Sequence, residues 1–386
     1  MITVAVLGTG NISQVHIDGF LKHGNEARIV ALCDIVPAKA QAAKDRFGLT
    51  GATVHAHVDE LVERDDIDLV AVCTPPDTHA ELSIALLDAG KHVLVEKPMA
   101  PGLADCDAMI AAARRAGRVL SVVSQNRWRD DVAQVKAVVD SGLLGPVASI
   151  QVDSAWLRGL AYYDLWWRGT WESEGGGPTL NHAIHHLDLV AHLLGRAPHA
   201  ITAAMTNAWH DNAEVEDLSV AVLHYERALA TVTASVVHHG QQQRFVVQGR
   251  EAGVELPWRV YAEQVQPTGH PAVGGNRPLA AAIDQVRERL PALPRTGHAG
   301  QIGDVLTAIT DDRPPAVTGE DGRRAVAIVT GIYRAAVEGR TVDLPIRPDD
   351  PWYSGKALLE HAPRYFPKTG KLPGYDAEVD PRGTGW

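Results

Sequence analysis

The sequence predicts an α/β protein of two parts: a doubly wound, parallel N-terminal sheet, then an α/β domain on an open, largely antiparallel sheet. Three observations carry this. Apolar runs alternate with alanine-rich segments over residues 1–125, and a glycine turn follows the first run. After residue 125 the apolar runs lose their helical spacers and some of them alternate.

In order, "ITVAVLG", "ARIVALCD", "DLVAVCT", "KHVLVEK" and "VLSVVSQ" read as strands. They are apolar throughout, as strands covered on both faces must be. "AKAQAAKDRFG", "THAELSIALLDAG" and "LADCDAMIAAARRAG" read as the helices between them, with right-handed crossovers. Residues 147–157, 199–209, 217–226, 228–238 and 243–256 read as strands of the second sheet, with "AVLHYERALATVTASV" as a hairpin. A helix is expected over 178–194, a Pro- and Gly-rich loop over 264–298, and helices over 301–312 and 319–339. The expected units are 1–125, 126–348 and an irregular tail, 349–386.

A chain of 386 residues can bury two substantial cores. A net charge of −11 and a pI near 5.9 argue against nucleic acid or an anionic membrane as partner. The first residues read as a strand rather than a signal peptide, and no run of about 18 apolar residues suggests a membrane span. Cys33, Cys73 and Cys106 are few, scattered and odd in number. They fit reduced thiols in a cytoplasmic protein.

"VAVLGTGNIS" places Gly8 and Gly10 directly after the first strand. Gly8 permits a tight turn, and Gly10 lets the backbone approach a pyrophosphate. The helix opening at Asn11 and Ile12 then offers free N–H groups. Asp34 ends the second strand, where a carboxylate would accept from the adenosine ribose hydroxyls and repel a 2′-phosphate. Together these predict a Rossmann dinucleotide site that prefers NAD over NADP; the plain alternative is a turn and a capping carboxylate. Thr74 and Pro75 of "CTPPDTH" belong to the same carboxyl edge, and His79 either reaches the cofactor or caps the next helix. "HVLVEKPMA" ends on Glu96 and Lys97. Pro98 makes Lys97 extended, so a lysine at this edge either meets a substrate hydroxyl or forms a surface pair with Glu96.

"GTGNIS", "CTPPDTH", "VLVEKP" and "GGGPTLNHAIHHLDL", in this order, resemble the glucose–fructose oxidoreductase / inositol dehydrogenase family over residues 1–340. The resemblance implies a Rossmann domain, an open-sheet domain that often forms the interface of a homodimer or homotetramer, and NAD(P)-dependent chemistry at a sugar or cyclitol hydroxyl. It assigns Lys97 as the active-site lysine and His185 as the active-site histidine. Glu96 falls among the cofactor contacts. Where the family often has Asp, this chain has Asn181, which can hydrogen-bond a hydroxyl but cannot take a proton.

On a continuous helix Asn181, His185, Asp188 and His192 share a face, while His182 and His186 lie elsewhere, exposed or against the other domain. His182 and His186 have the spacing of a zinc-protease helix, but Ala183 stands where that motif needs Glu, so no metal is expected. "WLRGLAYYDLWWRGTWESEGGG" concentrates aromatic residues and arginines. Trp167 and Arg168 suit a sugar ring, or else core packing. Asn126 and Arg127 are expected at the domain junction, contributing to substrate binding. The resulting expectation is an NAD-dependent dehydrogenase of a neutral monosaccharide, anhydrosugar or cyclitol. The rivals are a non-catalytic sensor of the same fold and a reductase of a non-sugar ligand.

Overall fold

The computed structural model describes residues 1–372. Strands β1 (Ile2–Leu7), β2 (Ala27–Cys33), β3 (Thr53–His55), β4 (Leu69–Val72), β5 (His92–Val95) and β6 (Leu120–Val122) form one sheet in the order β3-β2-β1-β4-β5-β6. Every pairing in it is parallel. Successive side chains of β1 enter opposite cores: Val4 and Val6 pack with Ile17 and Phe20 on one face, Ala5 and Leu7 with Val30 and Val70 on the other. The strand order reverses between β1 and β4, which puts the glycine turn at the switch point where such sheets bind ligands. The sequence reading missed β3, three residues at the sheet edge with Thr53 exposed.

Strands β7 (Val147–Ala155), β8 (Ala200–Thr206), β9 (Leu218–Tyr225), β10 (Ala228–Ser235), β11 (Gln243–Gly249), β12 (Gly253–Leu256), β13 (Arg259–Tyr261) and β14 (Val342–Asp343) form the second sheet. Its order is β13-β12-β11-β7-β10-β9-β8-β14. Only the β7–β10 pairing is parallel. Helices Ile184–Leu194 and Gly319–Glu338 contribute to the core on one face. Val220 and Leu229 remain exposed.

Residues 243–256, expected as one strand, are two. The chain turns after Gly249, where a Cβ would lie 2.1 Å from the Leu144 carbonyl oxygen. The expected loop over 264–298 contains helix Arg277–Arg289, started by a Pro in its first turn and by the Asn276 side chain accepting from the Leu279 N–H. Helix Asp130–Asp140 was not anticipated. The tail holds a 3₁₀ turn, Pro351–Ser354, with Trp352 buried, and helix Lys356–His361; its residues 373–386 lie outside the described residues.

Helix Gly319–Glu338 touches both sheets. A Cβ at Gly322 would lie 2.5 Å from Val122 of β6, and one at Gly331 would lie 2.8 Å from Ile201 of β8. Gln301, on helix Gly297–Thr310, donates to the Val122 carbonyl at 2.8 Å and accepts from the Ser124 N–H at 2.9 Å. Chain from the second half thus completes the first sheet, and the cleft between the sheets is framed by both. Among the described residues no helix is long and apolar enough to cross a membrane.

Candidate active site

The glycine turn is built as a phosphate cradle requires. Gly8 has φ +84°, and a Cβ there would meet the Cys73 carbonyl at 2.8 Å, so only glycine fits. Gly10 caps helix Asn11–Leu21, which runs through Asn11 and Ile12, and nothing lies within 4 Å of where its Cβ would be. The turn therefore leaves open space at the positive end of a helix. Asp34 stands beside it. One carboxylate oxygen accepts from the Thr9 N–H at 2.8 Å and hydroxyl at 3.0 Å, the other from the Val36 N–H at 2.9 Å. Asp34 thus ties the two turns together, and the oxygen bound to Val36 keeps a lone pair toward a ribose. These residues fit a dinucleotide.

Thr74 and Pro75 precede the 3₁₀ turn Pro76–Thr78 at the end of β4. His79 is fully buried, with its ring nitrogens 2.8 Å from the carbonyl oxygens of Pro98 and Thr74. It joins two edge loops, with both ring nitrogens directed at backbone carbonyls.

Glu96 is buried. Its Oε1 lies 2.8 Å from His16 Nε2 and 3.5 Å from His298 Nε2, and its Oε2 accepts from the Lys97 N–H at 3.1 Å. Burial works against its charge, but His16 and His298 hold the carboxyl well below its usual range. Burial also opposes the charge of His16, yet Cys73 and Glu96 raise it to about 10. Glu96 is therefore a buried anion that fixes the backbone of Lys97, not a surface partner.

Lys97 extends to the second half of the chain, where its Nζ donates to the Asn181 carbonyl at 2.9 Å. Burial lowers its pKa, Arg168 adds to this, and Glu96 opposes it. Asn181 acts here through its backbone. Its side-chain amide donates to the carbonyls of Gly176 at 2.8 Å and Gly177 at 3.2 Å, bonds an Asp could not make.

The expected helix over 178–194 is broken. Pro178–Asn181 forms one turn, His182 is distorted to φ −117°, and a second helix runs Ile184–Leu194. Beyond the break, His185 and Asp188 line a small cavity with Lys97, and Asn181 does not. The break also corrects the reading of His182 and His186. His186 is buried, and His182 turns inward beside Trp156 and Tyr162, with ring centroids 5.5 and 6.3 Å away. Burial, with Lys97 and His186, holds His185 well below the ordinary histidine value, so its imidazole is neutral.

Trp167 lies under the Arg168 guanidinium at 4.3 Å, and Tyr162 lies under the same group at 4.2 Å. Arg168 also pairs with buried Glu174 at 2.8 Å. Arg127 departs from expectation. Its Nε and Nη2 form a fork on Asp188 at 2.8 and 2.6 Å, and its Nη1 donates to the Ala316 carbonyl at 3.2 Å. With side chains 7% and 4% exposed, this pair is a structural clamp rather than a substrate contact. Asn126 sits in the adjoining 3₁₀ turn Gln125–Trp128.

His16 and His298 escaped the sequence reading. His16 lies inward on the helix after the glycine turn, a position its helical phase could have flagged. His298 opens a helix far along the chain, and no local pattern ties it to Glu96. Together with Glu96 they are the one group of three possible metal-ligand side chains among the described residues; His182 and His186 are not part of it.

A model of an oxidoreductase family with an NAD-binding Rossmann fold matches residues 2–124, and that family's C-terminal domain model matches residues 132–255. The chain is 26% identical to myo-inositol 2-dehydrogenase of Thermotoga maritima over 351 residues, 88% of this chain and 98% of that protein. Among solved structures it is similar to the WlbA dehydrogenase of Bordetella pertussis in complex with NADH and UDP-GlcNAcA, at TM-score 0.77 and 28% identity over 90% of this chain and 98% of that one. It is also similar to aldose-aldose oxidoreductase of Caulobacter crescentus complexed with glycerol, at TM-score 0.73 and 29% identity, covering 89% and 99% of the two chains.

Proposed function

The chain belongs to the GFO/IDH/MocA oxidoreductase family, with its NAD-binding Rossmann fold, and we propose that it oxidises a ring hydroxyl of a sugar or cyclitol. One observation carries this reading: Lys97 Nζ is held 2.9 Å from the Asn181 carbonyl at the carboxyl edge of β5, beside a small cavity that His185 also lines. Relatives named for inositol and aldose substrates support the substrate class.

The turn at Gly8 and Gly10 holds the pyrophosphate, and Asp34 the adenosine ribose. The nicotinamide supplies a hydride acceptor for the carbinol carbon. Lys97 has two N–H groups beyond the one on Asn181, and one of them donates to the substrate hydroxyl oxygen. That bond stabilises the alkoxide as it forms, and neutral His185 accepts the hydroxyl proton. Glu96, locked by His16 and His298, keeps the lysine backbone in place. Trp167 and Arg168 flank the ring. The three cysteines are buried and unpaired, which suits the cytoplasm. The open face of the second sheet, with Val220 and Leu229 exposed, is the proposed contact in a homodimer or homotetramer.

The test is NADH formation, followed by absorbance, across a panel of cyclitols, hexoses, anhydrohexoses and hexuronates. Turnover of at least one ring alcohol is expected. Failure with every one, while NADH still binds, contradicts the reading.

A further inference from the structure

We propose that the ring bound in this cleft carries an oxyanion, a carboxylate or a phosphate ester, and that Arg158 receives it; this rests on the ring-alcohol reading above. Arg158 follows β7, and its N–H donates to the Val236 carbonyl at 2.8 Å, which fixes its backbone beside the end of β10. Its guanidinium stacks on two aromatic rings, 5.2 Å from the Trp156 centroid and 5.7 Å from that of Tyr162. Nη1 donates to the Leu157 carbonyl at 2.8 Å and to Gln241 Oε1 at 3.4 Å. The Nε/Nη2 edge is the fork whose geometry matches an oxyanion. Among the described residues that edge donates to nothing, and no carboxylate pairs with Arg158.

The place is continuous with the reacting groups. His182 stacks beside both aromatic rings that carry Arg158, and the residue before it, Asn181, is the one whose carbonyl holds Lys97. Two further polar atoms here, Trp156 Nε1 and His182 Nδ1, are buried with no hydrogen-bond partner among the described residues. The charge balance points the same way. The chain as a whole carries −11, yet Lys97, Arg158 and Arg168 gather around His182, and each depresses its protonation. Glu174, bound to Arg168 at 2.8 Å, is the acid that answers them. A cationic wall in a protein of opposite net charge concentrates anions at that spot. This narrows the substrate away from the neutral ring expected from the sequence.

The test compares matched substrates on the intact enzyme with NAD: hexoses, the corresponding hexuronates and the corresponding hexose 6-phosphates. At least one anionic ring should exceed its neutral counterpart at least tenfold in kcat/KM. The better of the two anion series identifies the group as carboxylate or phosphate. Arg158→Gln should raise KM for the anionic ring tenfold or more, with the values for neutral rings and NAD unchanged; Arg158→Lys, which keeps charge but loses the fork, should fall between. Equal rates for neutral and anionic rings, or an Arg158→Gln defect shared by both, overturns the proposal. Thermal stabilisation by the anionic ring with NADH gives a second readout. Stabilisation that is lost in Arg158→Gln, without turnover of any ring, supports the anion site and contradicts the oxidation reading alone. Neither stabilisation nor turnover contradicts both.

Discussion

The carboxyl edge of the first sheet and the aromatic shelf of the second treat charge in opposite ways. At the first edge three charges are answered. Glu96 has His16 and His298, Asp34 has the Thr9 and Val36 N–H groups, and Arg127 closes the junction on Asp188. On the shelf Arg158 stacks on aromatic rings with its fork open. Answered charges hold backbone in place, because a buried ion is tolerated only with partners. An unanswered guanidinium at a cleft is free to bind. The same residue type thus plays two parts, and its neighbours decide which.

The contrast breaks most visibly at the two arginines. Arg127→Met leaves Asp188 buried without its partner and should cost about 3–5 kcal/mol of stability, read from the urea midpoint. Arg158→Gln should stay within about 0.5 kcal/mol of wild type. Equal losses would erase the distinction between clamp and receptor.

A smaller effect follows from His16, whose pKa is raised to about 10, with burial opposing and Cys73 and Glu96 prevailing. A raised folded value means that its stabilisation is complete below the unfolded value of about 6.5 and is lost as pH rises through about 10. Stability should therefore fall across that window with a slope of up to about 1.4 kcal/mol per pH unit from this group. In His16→Gln that component should vanish; an unchanged slope would show that His16 is not the proton carrier.

The smallest effect is at Asp34. Replacement by Ala should narrow the preference for NAD over NADP by about tenfold, or about 1.4 kcal/mol. If the ratio of the two kcat/KM values does not move, Asp34 serves only to tie Thr9 to Val36.

The parts of this architecture that were legible in the sequence are those with a strong local signature. Five strands of the first sheet stood out because burial on both faces makes each an unbroken apolar run. β3 did not, since three edge residues with one face in solvent carry no such run. Lys97 could be placed because Pro98 and the strand end fix it locally, and His185 because the flanking residues matched a known pattern. The break at His182 was hidden, because neither proline nor glycine marks it; Arg127 looked like a ligand group because its partner Asp188 lies 61 residues away. His298 and Gln301 reach the first sheet through tertiary packing alone, which no spacing records.

The measurement closest to the central claim is a double replacement at Lys97 and His185, scored by kcat/KM for a ring alcohol and separately by NADH binding. A positioned acid/base group contributes on the order of 10²–10⁴ in rate, so each single Ala variant should lose that much while NADH still binds. In the proposed mechanism the pair works as one proton-transfer unit, so the double variant should lose little more than the worse single one. Losses that multiply in full, or a Lys97→Ala enzyme that keeps more than about a tenth of its activity, would contradict the account.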